Sequence, residues 1–205
     1  MKIDPANLSR KEAHELIAGA VLPRPIAFVS TIGEDGTHNV APFSFFTAIS
    51  VKPAVVGISI ARKMDGRKKD TLVNIEFTKD FVINIVNEAL AQPMNQASGD
   101  YPSQVDEFKI VCLTPVKGDF VKSPMVAEAP VSMECRLMQI LEFGEPARPN
   151  SFVIGEVIRI HIKEEVWVNE VIKASKLKAI GRLGEDLYCR TTDIFEMKRP
   201  NIQSE

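Results

Sequence analysis

Histidine and cysteine are scarce, with three of each in 205 residues. Cys112, Cys135 and Cys189 are widely spaced and form no Cys-x-x-Cys, which excludes a zinc ribbon or a disulfide ladder. His14, His38 and His161 lie too far apart in sequence to suggest a histidine-rich metal centre, and no metal is expected. Gly-x-Gly-x-x-Gly, Gly-x-x-x-x-Gly-Lys-Ser/Thr, His-Glu-x-x-His and Gly-x-Ser-x-Gly are all absent. Net charge is only −2, so there is no basic footprint for nucleic acid. The longest run without Asp, Glu, Lys or Arg is Gly36 to Val51, too short for a membrane span. Charges at Lys2, Asp4, Arg10, Lys11 and Glu12 leave no signal-peptide core. A cytoplasmic protein with no membrane partner is expected.

Hydrophobic residues make up 45% of the chain and run through all of it, as in an ordinary globular protein. One domain over residues 1–205, with a helical lead-in over 1–20, is long enough to bury its own core. Ser9 and Glu12 make a capping box at the start of that helix, and Gly19 is placed to end it. Beyond Pro23-Arg24-Pro25 the pattern turns to β. Ile26–Ile32 reads as a strand, Gly33–Gly36 as a hairpin turn, and a return strand runs from His38 toward Ser44. Pro42 inside the return strand marks an edge, a bulge or a site. Ala54–Ile60 and Phe81–Val86 are further strands, with a short helix from Thr71 between them. Val131–Phe143 and Ser151–Lys163 are long strands. In the second, Phe152, Ile154, Ile158, Ile160 and Ile162 share the face expected to be core. Trp167 is expected to serve packing, and the cysteines to be small buried hydrophobes. Hairpin-linked strands with few helices point to an antiparallel barrel.

Two segments invite chemistry. Arg62–Thr71 holds five basic residues against two acids and leads into a helix start, where free N–H groups and the dipole favour an anion such as phosphate. Asp70 stands where it could cap that helix and compete for those amides. The alternative is a solvated charged loop. Asn39–Thr47 gathers small residues, three phenylalanines and polar side chains without a charge. It suits a pocket for a flat heteroaromatic ring. It suits a buried strand as well.

Taken in order, several stretches resemble the flavin reductase-like, FMN-binding split-barrel family, in its flavoredoxin-like and monooxygenase reductase-component branch. They are Pro23–Thr31, Asn39–Phe46, Lys69-Asp70-Thr71 with Asn74-Ile75, Phe81–Asn84, Gly155-Glu156-Val157, His161, and Gly181–Gly184 with Tyr188. The likeness spans roughly residues 15 to 200. It departs from the commoner pattern at Gly184-Glu185, where Gly-Gly is frequent.

The resemblance implies a mainly β fold: a six-stranded antiparallel Greek-key split barrel with peripheral helices, binding FMN as a homodimer. It assigns to the cofactor Arg24, Ser30, Thr31, Asn39, Val40, Ala41, Pro42, Phe43, Ser44, Phe45, Ser59, Arg62, Lys69, Asp70, Thr71 and Arg182. It puts the Asn39–Phe45 strand near the isoalloxazine, and Ser30-Thr31 and Lys69–Thr71 near the ribityl chain and phosphate. His161 becomes the catalytic candidate. The implied activity is hydride transfer from NADH or NADPH to flavin N5, with an oxygenase component or another protein as electron acceptor. Such chemistry belongs to the flavin and needs no strong general base, in keeping with so little histidine. An FMN electron carrier that does not oxidise nicotinamide, and a flavin-binding module without turnover, are the rival readings.

Overall fold

The structure, a computed structural model, describes residues 1–200. Its first helix, α1 (Arg10–Ala20), begins at the capping box: Glu12 accepts from the Ser9 N–H at 2.8 Å, and Ser9 accepts from the Glu12 N–H. Gly19 does not end it; the helix runs on through Ala20, and Val21 is the cap. No helix among the described residues is long and apolar enough to cross a membrane.

Besides three short two-stranded ladders, the described residues hold seven strands of one main sheet: β1 (Ala27–Ile32), β2 (His38–Phe43), β3 (Phe46–Val51), β4 (Ala54–Ile60), β5 (Asp80–Ile85), β6 (Val131–Phe143) and β7 (Asn150–Ile162). Helix α2 (Asp70–Thr78) joins β4 to β5, and the short α3 (Ala91–Gln96) and α4 (Glu107–Ile110) lie between β5 and β6. All seven strands form one sheet in the order β2-β1-β5-β6-β7-β4-β3, every pair antiparallel. The seventh member is β3, which the sequence reading, running the return strand only toward Ser44, did not identify as a strand.

The strand order dictates the shape. Only Ser44 and Phe45 connect β2 to β3, yet these are the two edge strands. At ~4.8 Å per strand a flat sheet would hold its edges about 29 Å apart. Two linking residues reach about 11 Å at ~3.6 Å per step. The sheet must therefore curl until its edges meet, giving a barrel with an unpaired seam between β2 and β3.

Alternation along β1 feeds two cores. Ala27 and Val29 point inward to Val56, Ile58, Ile60, Phe81, Ile83 and Val153. Ile26 and Phe28 point outward and are covered by Leu90, Met94 and Phe108 from the α3–α4 region. The expected core face of β7 is reversed. Ser151, Val153 and Gly155 are the buried residues, while Phe152 and Ile154 are half-buried and Ile160 is exposed. A period of two defines faces without saying which points inward. Gly155 is inward because Phe81 fills its place: a Cβ there would sit 2.5 Å from Phe81 Cζ. A bulge then breaks the alternation, since Val157 pairs with Cys135 but Arg159 with Glu134.

Smaller corrections have similar causes. Trp167 is exposed on a two-residue ladder with Ile172, not packed. Of the cysteines only Cys135 is buried; Cys112 is exposed and Cys189 intermediate. Glu185, at the position of the frequent glycine, has φ 53°, a left-handed conformation that glycine adopts freely.

Candidate functional site

The β2 edge builds one wall of a cleft. Its outward side is defined by the Val40 N–H, which leaves the sheet to reach Glu107 Oε2 at 2.7 Å. Pro42, two residues on, faces the same way, so its missing N–H costs the ladder nothing. The opposite wall is the 62–69 loop and the start of α2. The third is the Ala97–Tyr101 segment, and Glu107 of α4 closes the back. The enclosed part measures about 50 Å³. It shares Lys63, Asp70, Asp100 and Tyr101 with an open cleft of about 680 Å³ toward Pro102–Gln104. It shares Asn39, Asp70 and Glu107 with a third hollow of about 210 Å³ beside the Gly33–Thr37 turn.

A buried polar network underlies the cleft. Asn39 Oδ1 accepts from Thr71 Oγ1 at 2.8 Å and from Thr31 Oγ1 at 3.1 Å, while its amide donates to Glu107 Oε2 at 2.6 Å. Asn74 Nδ2 donates to Thr31 Oγ1 at 3.0 Å. Helix α2 starts from Lys69 as N-cap, with no side-chain cap bond. Asp70 is thus not the cap; it is the first helical residue, and its carboxylate takes a 2.7 Å bond from Lys63 Nζ. Lys69 Nζ lies 3.6 Å from Asp100. Burial pushes the Glu107 carboxyl up to about 7, helped by the Asp70 charge and opposed by the Val40 N–H and by Lys69 and Lys63.

Seven of the residues assigned from sequence line this enclosure: Asn39, Ala41, Pro42, Phe43, Lys69, Asp70 and Thr71. Thr31 joins through the network beneath it. The others lie elsewhere. Val40 is packed in the outer core, and Ser30 donates to Pro124 O and accepts from Asn84 on the outer face. Arg62 turns to Ser151 at 2.7 Å and to Glu142 at 3.0 Å. Ser59 sits in β4, where its N–H donates to Phe45 O at 2.8 Å. Arg24 is 5% exposed and ties α1 to the C-terminal segment, donating to Ala18 O, Val21 O, Leu183 O and Ser44 Oγ. It lies over Phe45, and burial together with the Arg182 charge lowers its pKa. Arg182 itself contacts Glu185 O and the Tyr188 ring.

His161 is not among the cleft residues. Its Nε2 meets Glu134 Oε1 at 2.5 Å, in a group that also includes Asp119. Burial alone would raise the Glu134 pKa. Bonds from His161 and from the N–H groups of Asp119, Phe120 and Val121 instead hold it below its ordinary value. The sequence reading missed Lys63, the Ala97–Tyr101 wall and Glu107 as site residues. Lys63 was within the basic loop; nothing local in the sequence distinguishes Glu107.

The model of the flavin reductase like domain matches residues 18–174. The chain belongs to the flavin reductase-like family. Among solved structures, nitrilotriacetate monooxygenase component B from Bacillus cereus superposes with a TM-score of 0.92 at 31% identity, over 96% of this chain and 98% of that one. The 2-nitrobenzoate 2-nitroreductase NbaA of Pseudomonas fluorescens gives 0.88 at 30% identity, over 100% and 99%. A split barrel domain protein of Shewanella frigidimarina, at 19% identity and TM-score 0.81, shares the fold over 98% and 100% of the two chains. The architecture derived above is therefore the family's split barrel, and the chain is a member of an oxidoreductase family.

Proposed function

We propose that the cleft binds FMN and that this flavin reductase-like protein oxidises NADH or NADPH. The reading is carried by one observation: the Asn39–Phe43 edge, the two lysines of the basic loop and the uncapped start of α2 share a single cleft. The donor set suits a phosphate ester. Lys63 and Lys69 supply ammonium donors beyond those that face Asp70 and Asp100, and the first turn of a nine-residue helix supplies the Asp70 and Thr71 N–H groups, since those of Leu72 and Val73 already reach Lys69 O. The Ala41–Phe43 edge offers backbone and small side chains to a ring, as the seam of the barrel requires no strand there.

A bound flavin would supply the two-electron redox chemistry of this reading. The chain's own residues bind and orient. The Thr31–Asn39–Thr71 network, its hydroxyl protons committed to Asn39 Oδ1, pins the start of α2 against β2 and so fixes the cleft walls before ligand arrives. Homodimerisation, with Ile49 and Val51 of β3 and Ile160 of β7 as exposed apolar contact residues, would cover the open side of the barrel. Delivery of reduced flavin to an oxygenase component accords with the similarity to a monooxygenase component B.

Anaerobic mixing of FMN-loaded protein with NADH or NADPH tests this. Rapid bleaching of the visible flavin bands is expected. Retained FMN that nicotinamide never bleaches would favour an electron carrier or a flavin-binding module. A protein that cannot be loaded with FMN would sink the whole reading.

A further inference from the structure

We propose that Glu107 is a charge gate for the cleft: its carboxylate takes up a proton when a phosphate-bearing flavin enters, so that FMN binds the neutral acid. The inference rests on the phosphate reading above and adds a residue that the reading does not use. Three observations carry it.

The first is geometric. Glu107 is 6% exposed and lines the enclosed cavity together with Lys63, Lys69 and Thr71. Both protein donors, Asn39 Nδ2 and the Val40 N–H, converge on Oε2. Among the described residues nothing donates to Oε1. A proton on Oε1 therefore leaves every existing bond intact, and the network has the same form with either charge state.

The second is the charge balance. Facing Glu107 from the basic loop and α2 are Lys63, Lys69 and Asp70, and from the Ala97–Tyr101 wall Asp100 and Tyr101. The two lysines are already matched by the two aspartates, at 2.7 and 3.6 Å. On the far side lie Glu34 and Asp35 of the hairpin turn. Asp106 and Lys109, which flank Glu107 at α4, bond each other, and His38 of β2 lies 3.8 Å from Asp106. An ionised Glu107 thus leaves the enclosure with surplus negative charge before a dianion arrives. The third is that burial already weakens the acid, up to about 7, so protonation is within easy reach at neutral pH.

A like charge disfavours ionisation of a neighbouring carboxyl. For a rise of ~1 pKa unit, FMN binding at pH 8 draws about 0.4 of a proton onto Glu107, and FMN affinity falls roughly eightfold between pH 6 and pH 9. Calorimetry of the flavin-free protein with FMN, in buffers of different ionisation enthalpy, reads this uptake. Wild type should take up the proton with FMN and not with riboflavin, and Glu107→Gln should lose both the uptake and the fall in affinity. Because the flavin phosphate's own titration persists in Glu107→Gln, equal uptake by both proteins would overturn the gate. In infrared difference spectra at pH 8, wild type should gain a protonated-carboxyl band on adding FMN; its absence overturns the gate even if the variant fails to fold. Tight FMN binding with no pH effect would remove the gate and leave the phosphate reading standing. Failure of wild type to bind FMN would remove both.

Discussion

Glutamine at position 107 keeps the oxygen that Asn39 and Val40 need and abolishes the proton equilibrium, so it isolates the cost of ionising this acid in the ligand-free protein. The folded protein holds the Glu107 proton up to about pH 7, against an ordinary value of 4.5. Between these values the folded state binds more protons than the unfolded state, so stability falls as pH rises. The favourable contribution is complete below pH 4.5 and is lost as pH passes through about 7. At ~1.4 kcal/mol per pH unit the loss is about 3 kcal/mol. Glu107→Gln titrates in neither state and escapes it. Its stability relative to wild type should therefore rise by about 3 kcal/mol from pH 4 to pH 8, whatever its offset at low pH. For a chain of this length that is a relative gain of about 6–12 °C in Tm. Urea titrations at pH 4, 5, 6, 7 and 8 on both proteins measure it, the difference between them cancelling every other titrating group. A difference flat within ~0.5 kcal/mol across that range would refute the argument, because it would mean the carboxyl is hydrated in the folded state.

The remaining expectations concern the proposed ligand and assembly. Lys69→Ala should weaken FMN by about 10- to 100-fold, the ~1.5–3 kcal/mol of a charge-assisted bond, and leave riboflavin affinity nearly unchanged; equal losses would mean that Lys69 only shapes the loop. His161→Ala removes the partner of a fully buried acid, so it should lower Tm while FMN affinity and the rate of flavin bleaching hold; slowed bleaching with an unchanged Tm would place His161 on the hydride path after all. Sedimentation should give a species of about twice 22.7 kDa, and a monomer that binds FMN equally tightly would contradict the role given to the exposed residues of β3 and β7.

The sequence carried the barrel further than it carried the site, and the reason is range. The strands at Ala27–Ile32, Ala54–Ile60 and Val131–Phe143 are legible because β-branched runs and turn residues act locally. The end of β2 near Ser44 is legible, but β3 is not: Phe46–Val51 continues the same uncharged run with no glycine, asparagine or aspartate at the break to announce a second strand. The inward face of β7 depends on Phe81, a residue of another strand, filling the space at Gly155. The same division applies to the cleft. Asn39–Phe43 and Lys69–Thr71 announce themselves because each is a contiguous segment of unusual chemistry. Glu107 is joined to Val40 across 67 positions. In the sequence it is an acid in the first turn of a short helix, a place where any acid is favoured by the helix dipole and by solvent. Its side chain turns inward because Phe108 and Val111 anchor α4 in the outer core, against the β2 edge whose N–H at Val40 would otherwise be buried without a partner. Docking of α4 thus satisfies a strand edge with a carboxylate, and the same docking brings a titratable group to the proposed phosphate site. A demand of the fold, the open edge left by a barrel that does not close, is what places the charge there.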